Sequence, residues 1–154
     1  MAYWLLKTEP DEFSIDDLKA SPKKTTPWDG IRNYQARNLL RDEVKKGDLV
    51  FIYHSSCKLV GIAGIGEVVK EAYPDPDQFD EGAKYFDPKA SEDKPRWYCV
   101  DVKFKKKFKE VIPLKALKEV SALSEMVLLK QGRLSVQPVR VKEWNRILKM
   151  SEDM

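Results

Sequence analysis

Histidine is almost missing from this chain: among 154 residues there is one, His54. With no second imidazole, no H-E-x-x-H and no paired C-x-x-C, a metal centre of usual composition would have to recruit dispersed cysteines or carboxylates, so no metal is expected. Cysteine is scarce as well. Cys57 and Cys99 lie in separate apolar segments and read as buried reduced thiols rather than a disulfide or a redox pair. Long hydrophobic runs are absent: the opening Met-Ala-Tyr-Trp-Leu-Leu-Lys has no basic leader, and no later stretch is long enough to span a bilayer. A cytoplasmic protein that does not engage membranes is expected. An excess of charge is lacking too, since Lys+Arg number 28 against 25 Asp+Glu, a net charge of +3. Any case for an anionic partner must therefore rest on where the charges sit. No repeat, low-complexity tract or Gly/Ser linker interrupts the chain, so residues 1–154 are expected to form one domain, long enough to bury a sizeable core.

What is present alternates between strand and helix signals. Ala2 to Lys7 has the aromatic-rich alternation of a first strand, and Ser14 with Asp17 is a capping-box pattern opening a short helix through Leu18. Pro22 and Pro27 bracket a loop that delivers an exposed-looking Trp28. Ala36, Leu39, Leu40 and Val44 recur at helical spacing, and Gly47-Asp48 turns the chain into a strand from Leu49 to His54. Leu59 to Val69 reads as a strand with Val60, Ile62 and Val68 on one face and Ala63, Ile65 and Val69 on the other. Its Gly61, Gly64 and Gly66 do not form a dinucleotide-binding pattern and are expected to bend the strand. Ala72 to Pro95, with four prolines and many acids, reads as a surface excursion, either a lid or a loop.

Arg96 to Phe108 is the longest strand candidate, one face apolar and the other basic. The lysines from Lys103 to Lys109 fit either the wet face of an edge strand or a phosphate track, and the edge is favoured. Pro113 opens a helix carrying Leu114 and Leu117, a second helix runs from about Leu123 towards Gly132, Ser135 to Val139 is a short strand, and Lys142 to Met150 closes the chain as a helix without a side-chain cap at Val141. Mixed short strands with glycine bends and several helices imply an α+β fold around a small curved sheet or barrel.

The segment from Trp28 to Ser56 concentrates flat and hydrogen-bonding side chains. Trp28, Tyr34, Tyr53 and His54 supply rings on which a base can stack. Asn33, Gln35, Asn38 and Ser55 supply groups that read a base edge, and Arg32, Arg37 and Arg133 carry charge suited to phosphate. Tyr34 and Tyr53 equally fit a hydrophobic core, and the arginines equally fit surface ion pairs. A catalytic alternative places His54 beside Ser55 and Cys57, although neighbours on a strand point to opposite faces and a triad needs geometry that spacing cannot supply.

Five strings carry a resemblance to a known family: Tyr3 to Pro10 (YWLLKTEP), Trp28 to Asn38 (WDGIRNYQARN), Gly47 to Ser55 (GDLVFIYHS), Tyr73 to Pro76 (YPDP) and Gly132 to Pro138 (GRLSVQP). In this order they resemble the EVE domain family of the PUA-like superfamily, nearly end to end. The resemblance implies a PUA-like small mixed β-barrel with peripheral helices, akin to YTH and ASCH domains. It also implies a pocket that accepts a flipped or single-stranded modified base, such as a modified cytosine in DNA or a modified RNA base. Carried onto this chain, it makes Trp28 an aromatic wall with Asn33 an edge reader beside it. Tyr53, His54 and Ser55 line the strand side, and Arg133, Ser135 and Gln137 close the pocket or hold the backbone. Val60, in place of a proline before Gly61, and Val141, in place of a Thr or Ser cap, depart from the family pattern.

The expected function is thus a non-catalytic, nucleic-acid-binding reader of modified bases that needs no cofactor. The alternatives are a nucleotide-directed hydrolase using His54 with Ser55 or Cys57, and a protein-interaction module.

Overall fold

The computed structural model describes all residues from Met1 to Met154. Six strands form one mixed sheet: β1 (Tyr3–Thr8), β2 (Thr25–Trp28), β3 (Leu49–His54), β4 (Gly61–Pro74), β5 (Tyr98–Pro113) and β6 (Val136–Val139). Their order is β2-β5-β4-β3-β1-β6. β1 and β3 run parallel, and every other neighbouring pair is antiparallel. The helices are α1 (Ile15–Ala20), α2 (Tyr34–Asp42), α3 (Leu114–Lys118), α4 (Val127–Lys130) and α5 (Val141–Glu152). The α+β class holds. The barrel does not close, because β2 and β6 are left as edges. No helix is long and apolar enough to cross a membrane.

Strand periodicity sorts the core into two layers. Trp4 and Leu6 of β1 join Val50 and Ile52 of β3 on one face, together with Ile15, Leu18, Ala36 and Leu40 from α1 and α2. Leu5, Phe51 and Tyr53 alternate with them onto the other face, where Leu117, Trp144 and Ile147 of α3 and α5 cover them. Trp144 stacks on Phe51 at 3.8 Å and on Tyr3 at 4.6 Å between ring centroids.

Two long strands break the simple alternation expected of them. Register shifts at Ile62/Gly64 and Ile65/Gly66 put Ile62 and Ile65 into the same core layer, while Ala63 and Val68 face the other. Gly64 permits the shift: a Cβ there would lie 2.2 Å from the Lys106 carbonyl oxygen and 2.3 Å from Ile15. Along β5, Val100 and Val102 enter the first layer but Phe108 and Ile112 the second, for the same reason. β2 pairs with Val100 to Lys103, so of the lysines expected on an edge only Lys103 is covered, and from Lys105 to Lys109 β5 has β4 as its one strand neighbour.

The local signals fare better. Ser14 Oγ accepts from the Asp17 N–H at 3.1 Å and Asp17 Oδ2 from the Ser14 N–H at 2.8 Å, closing the capping box of α1. At α5 the missing cap is replaced from within: Glu143 Oε1 accepts from the Arg140 N–H at 2.9 Å. The helix expected from Leu123 to Gly132 is shorter, a 3-10 turn at Ser121–Leu123 followed by α4. Cys99 is buried as expected, whereas Cys57 is only half-buried.

Candidate functional site

The first three strands finish around a cavity of about 770 Å³. Lys7 and Thr8 from the end of β1, Thr26 to Trp28 from the end of β2, and Ser55 and Ser56 beyond β3 form its floor. Phe13, Asp29, Gly30, Lys84, Tyr85, Arg133 and Ser135 complete the walls. Indole and phenol rings, hydroxyls and three cationic side chains thus face one space.

Trp28 is not the exposed loop residue that the sequence suggested. It ends β2, paired with Val100, and is only 6% exposed. Its ring meets Phe13 edge to face at 6.2 Å and 87°, and what remains exposed borders the cavity. The indole is therefore held rigid by the core it belongs to.

The opposite wall comes from the excursion after β4. Its base is fixed by Gln78, fully buried, whose Nε2 donates to the carbonyls of Asp75 and Trp97 at 2.8 Å each. Tyr85 then packs so close to Gly30 that a Cβ on that residue would come within 2.8 Å of the phenol ring, and Gly30 takes φ +76°. Asp75 Oδ2 accepts from the Gly30 N–H at 2.9 Å. The stretch read as a lid or a loop is thus a buttressed cavity wall.

Of the ten site residues expected from the sequence, Trp28, Ser55, Ser135 and Arg133 line the cavity. The other six are employed elsewhere. Asn33 caps α2, its Oδ1 accepting from the Ala36 N–H at 2.9 Å. Tyr53 is 2% exposed in the second core layer, where burial pushes its hydroxyl up to about 12. His54 Nε2 accepts from the Ile15 N–H at 3.1 Å, and burial holds the imidazole below its usual pKa. Gln137 is fully buried and donates to the carbonyls of Leu134 and Gln131 at 2.8 and 3.1 Å. It supports the turn that carries Gly132 and Arg133 to the cavity without entering it.

Two of the three arginines assigned to phosphate are likewise occupied. Arg32 pairs with Asp75 at 3.0 Å and donates through Nε and Nη2 to the Tyr85 carbonyl at 3.1 and 2.7 Å. Arg37 donates to the Arg96 carbonyl at 2.8 Å and lies 4.8 Å over the Tyr34 ring. Arg133 remains, joined on the cavity wall by Lys7 and Lys84. Lys84 is ion-paired with Glu12, and burial lowers the pKa of Lys7.

Sequence reasoning passed over Asp29, Gly30 and Tyr85. Tyr85 and Phe86 are an aromatic pair in an otherwise polar, acidic stretch, which was the available signal. Asp29 lies near Asp75 and Asp77, one carboxylate oxygen of each within 4.8 Å of the others. Asp29 is exposed, yet partial desolvation of its carboxyl, then the charges of Asp75 and Asp77, push it up to about 6. Arg32 and the N–H groups of Gly30 and Asp77 already meet the charge of Asp75. The cluster is therefore a set of acids short of one cation, where a shared proton relieves the repulsion.

The hydrolase constellation does not assemble. His54 Nε2 is engaged by α1, the Cys57 thiol donates to the Leu59 carbonyl at 3.4 Å, and the Ser55 hydroxyl lies 3.5 Å from the Thr8 carbonyl.

Comparison with known proteins identifies the family. The chain is 46% identical to thymocyte nuclear protein 1 of Homo sapiens, across 98% of this chain and 74% of that protein. The crystal structure of human THYN1 in complex with 5-methylcytosine-containing DNA matches with a TM-score of 0.95 at 46% identity, covering 99% of this chain and 98% of that one. A hypothetical protein from Leishmania major matches with a TM-score of 0.95 at 50% identity, covering 99% of this chain and 96% of that one. The human and mouse relatives are both named as nuclear proteins, and this overturns the cytoplasmic expectation. The EVE domain model matches residues 2–150, and the chain belongs to the EVE domain family.

Proposed function

We propose that the protein is a non-catalytic nucleic-acid-binding module that takes a single modified nucleobase, a modified cytosine in DNA above all, into the cavity beside Trp28. The observation that carries this reading is the cavity itself: a rigid indole, a tyrosine wall, the hydroxyls of Thr8, Ser55 and Ser135, and the Arg133 guanidinium with Lys7 in one space of about 770 Å³. Such a set stacks a planar heterocycle, reads its edge and holds the phosphates beside it. Drawing a base from a duplex costs a few kcal/mol, and stacking returns about 1 to 3 kcal/mol per base, so edge contacts must supply the remainder. The human relative solved with 5-methylcytosine-containing DNA supports cytosine as the base and DNA as the carrier.

Binding is favoured over hydrolysis because His54 spends its acceptor nitrogen on the Ile15 N–H, 3.1 Å away, instead of on a nucleophile. The test is thermal denaturation with short oligonucleotides, DNA and RNA, that carry one modified or one ordinary cytosine. A ligand that binds only the folded state raises Tm, by an amount equivalent to about 2.7 kcal/mol when present at a hundred times its Kd. A shift with modified DNA that exceeds the shifts with ordinary DNA and with RNA is expected. Equal shifts with modified and ordinary strands would count against base capture, and a larger shift with RNA would move the carrier from DNA to RNA.

A further inference from the structure

We propose that Asp29 reads the Watson–Crick edge of the captured cytosine, its protonated carboxyl group accepting a hydrogen bond from the exocyclic N4 amino group and donating one to ring N3. This inference rests on the base-capture reading above and names the residue that makes the cavity select that base.

Asp29 follows Trp28 directly, and both line the cavity, so an acid stands beside the ring on which the base would stack. Three acids reach the cavity: Glu9, Glu12 and Asp29. Glu12 is ion-paired with Lys84, and Glu9 lies outside the acid cluster. Asp29 has no cation partner and is backed by two further carboxylates.

Chemistry then narrows the ligand. Along its pairing edge cytosine presents an amino donor beside a ring-nitrogen acceptor. A neutral carboxyl presents the mirror pattern, one carbonyl acceptor beside one hydroxyl donor. An ionised carboxylate satisfies only the amino group and sets a negative charge against the N3 lone pair. The same contact is reached if the proton crosses to N3, so the complex needs one proton shared between the two partners, wherever it resides.

The fold supplies the reason that Asp29 takes up this proton more readily than an ordinary aspartate does. Asp75 is fully buried and accepts from Gly30, Asp77 and Arg32, so both of its oxygens are already taken by donors within the fold. A second negative charge at Asp29 is resisted by Asp75 and by Asp77. Partial burial first, then these two charges and a hydrogen bond with Asp77 that the base would have to replace, push the Asp29 carboxyl up to about 6. The charged and titratable groups that share the cavity are Glu9 and Glu12 from the turn after β1, Lys7 at the end of β1, Lys84 and Tyr85 from the excursion, and Arg133 before β6. On the sheet side, the buried Cys99 thiol also senses Asp29.

The experiment measures, by fluorescence anisotropy with the full chain at fixed ionic strength, the affinity for a DNA oligonucleotide carrying one 5-methylcytosine between pH 5.5 and 8.5. Uptake of one proton on binding makes wild-type affinity fall as pH rises above 6, by up to about tenfold per pH unit. Asp29→Asn keeps one acceptor and one donor without needing a proton. It is expected to rescue binding at high pH and to flatten the profile. Asp29→Ala is expected to weaken binding at pH 6 by about tenfold or more, as loss of a bidentate base contact does. Selective wild-type binding combined with an unweakened Asp29→Ala variant, or with an unchanged pH slope in Asp29→Asn, would overturn the role of Asp29 and leave base capture standing. Absence of any preference for the modified strand at every pH would overturn both.

Discussion

Arg32 holds Asp75 at 3.0 Å, and Asp75 is entirely buried. The same guanidinium donates twice to the Tyr85 carbonyl, so one side chain ties the loop before α2, the acid cluster and the far wall of the cavity together. The arginine that looks like a phosphate ligand in the sequence is the clamp that shapes the site.

Removing the clamp leaves a buried carboxylate unpaired. Arg32→Ala is expected to cost about 3 to 5 kcal/mol, the usual cost of breaking a buried ion pair from one side. Urea denaturation at pH 7.5 and pH 5 checks this, and the deficit should be smaller at the lower pH, where the acid cluster can take up protons.

Trp28 serves the core and the cavity at once, so truncation and conservative exchange should differ. Trp28→Ala is expected to destabilise the fold by about 3 to 5 kcal/mol. Trp28→Phe should keep most of that packing against Phe13 while weakening oligonucleotide affinity, since a smaller ring gives up part of a stacking contact worth about 1 to 3 kcal/mol. Parallel denaturation and anisotropy measurements separate the two effects.

Gly30 lies in the left-handed region and its α-carbon faces the Tyr85 ring. Gly30→Ala should cost about 1 to 2 kcal/mol from the backbone alone, and should displace Tyr85. A fall in both Tm and base affinity is expected, with the Tm loss, but not the affinity loss, relieved in part by the double change Gly30→Ala with Tyr85→Leu.

His54 and Asp29 give opposite pH signatures. The pKa of His54 is lowered by burial, so its contribution is present above about pH 6.5 and is lost as pH falls, when the imidazole must take up a proton. Asp29 is an acid with a raised pKa: the folded state binds the proton more tightly than the unfolded state, and stability falls as pH rises towards about 6. Asp29→Asn should therefore raise Tm at pH 7.5 and lose that gain on acidification. His54→Ala should lower stability by about 1 kcal/mol at pH 7.5 and leave oligonucleotide binding intact. Loss of binding in His54→Ala with Tm preserved would contradict this assignment.

Local signals in the chain were legible. The Ser14–Asp17 capping box, the Gly47-Asp48 turn and the spacing of Ala36, Leu39 and Leu40 all lie within a few residues of the elements they specify. β2 was hidden because four residues including Pro27 become a strand only when β5 arrives to pair with them. The layers of β4 and β5 were misjudged because a register shift exchanges faces without altering composition. The cavity was half legible for a related reason. Trp28, Ser55, Ser135 and Arg133 reach it from strand ends, whereas the fates of Arg32 and Gln137 were decided by partners that only the fold brings near, Asp75 lying 43 residues away from Arg32. Ring-and-amide composition does not distinguish a side chain that meets a ligand from one that caps a helix, as Asn33 does.

The central claim is that one modified base enters the cavity beside Trp28. Its most direct test is the ratio of Kd values for two DNA oligonucleotides that differ only in a single 5-methyl group on cytosine, measured for the wild-type chain and for Trp28→Phe at one salt concentration. Tighter binding of the methylated strand by wild type and a smaller ratio in the variant are expected. Equal affinities for both strands, unchanged by Trp28→Phe, would contradict it.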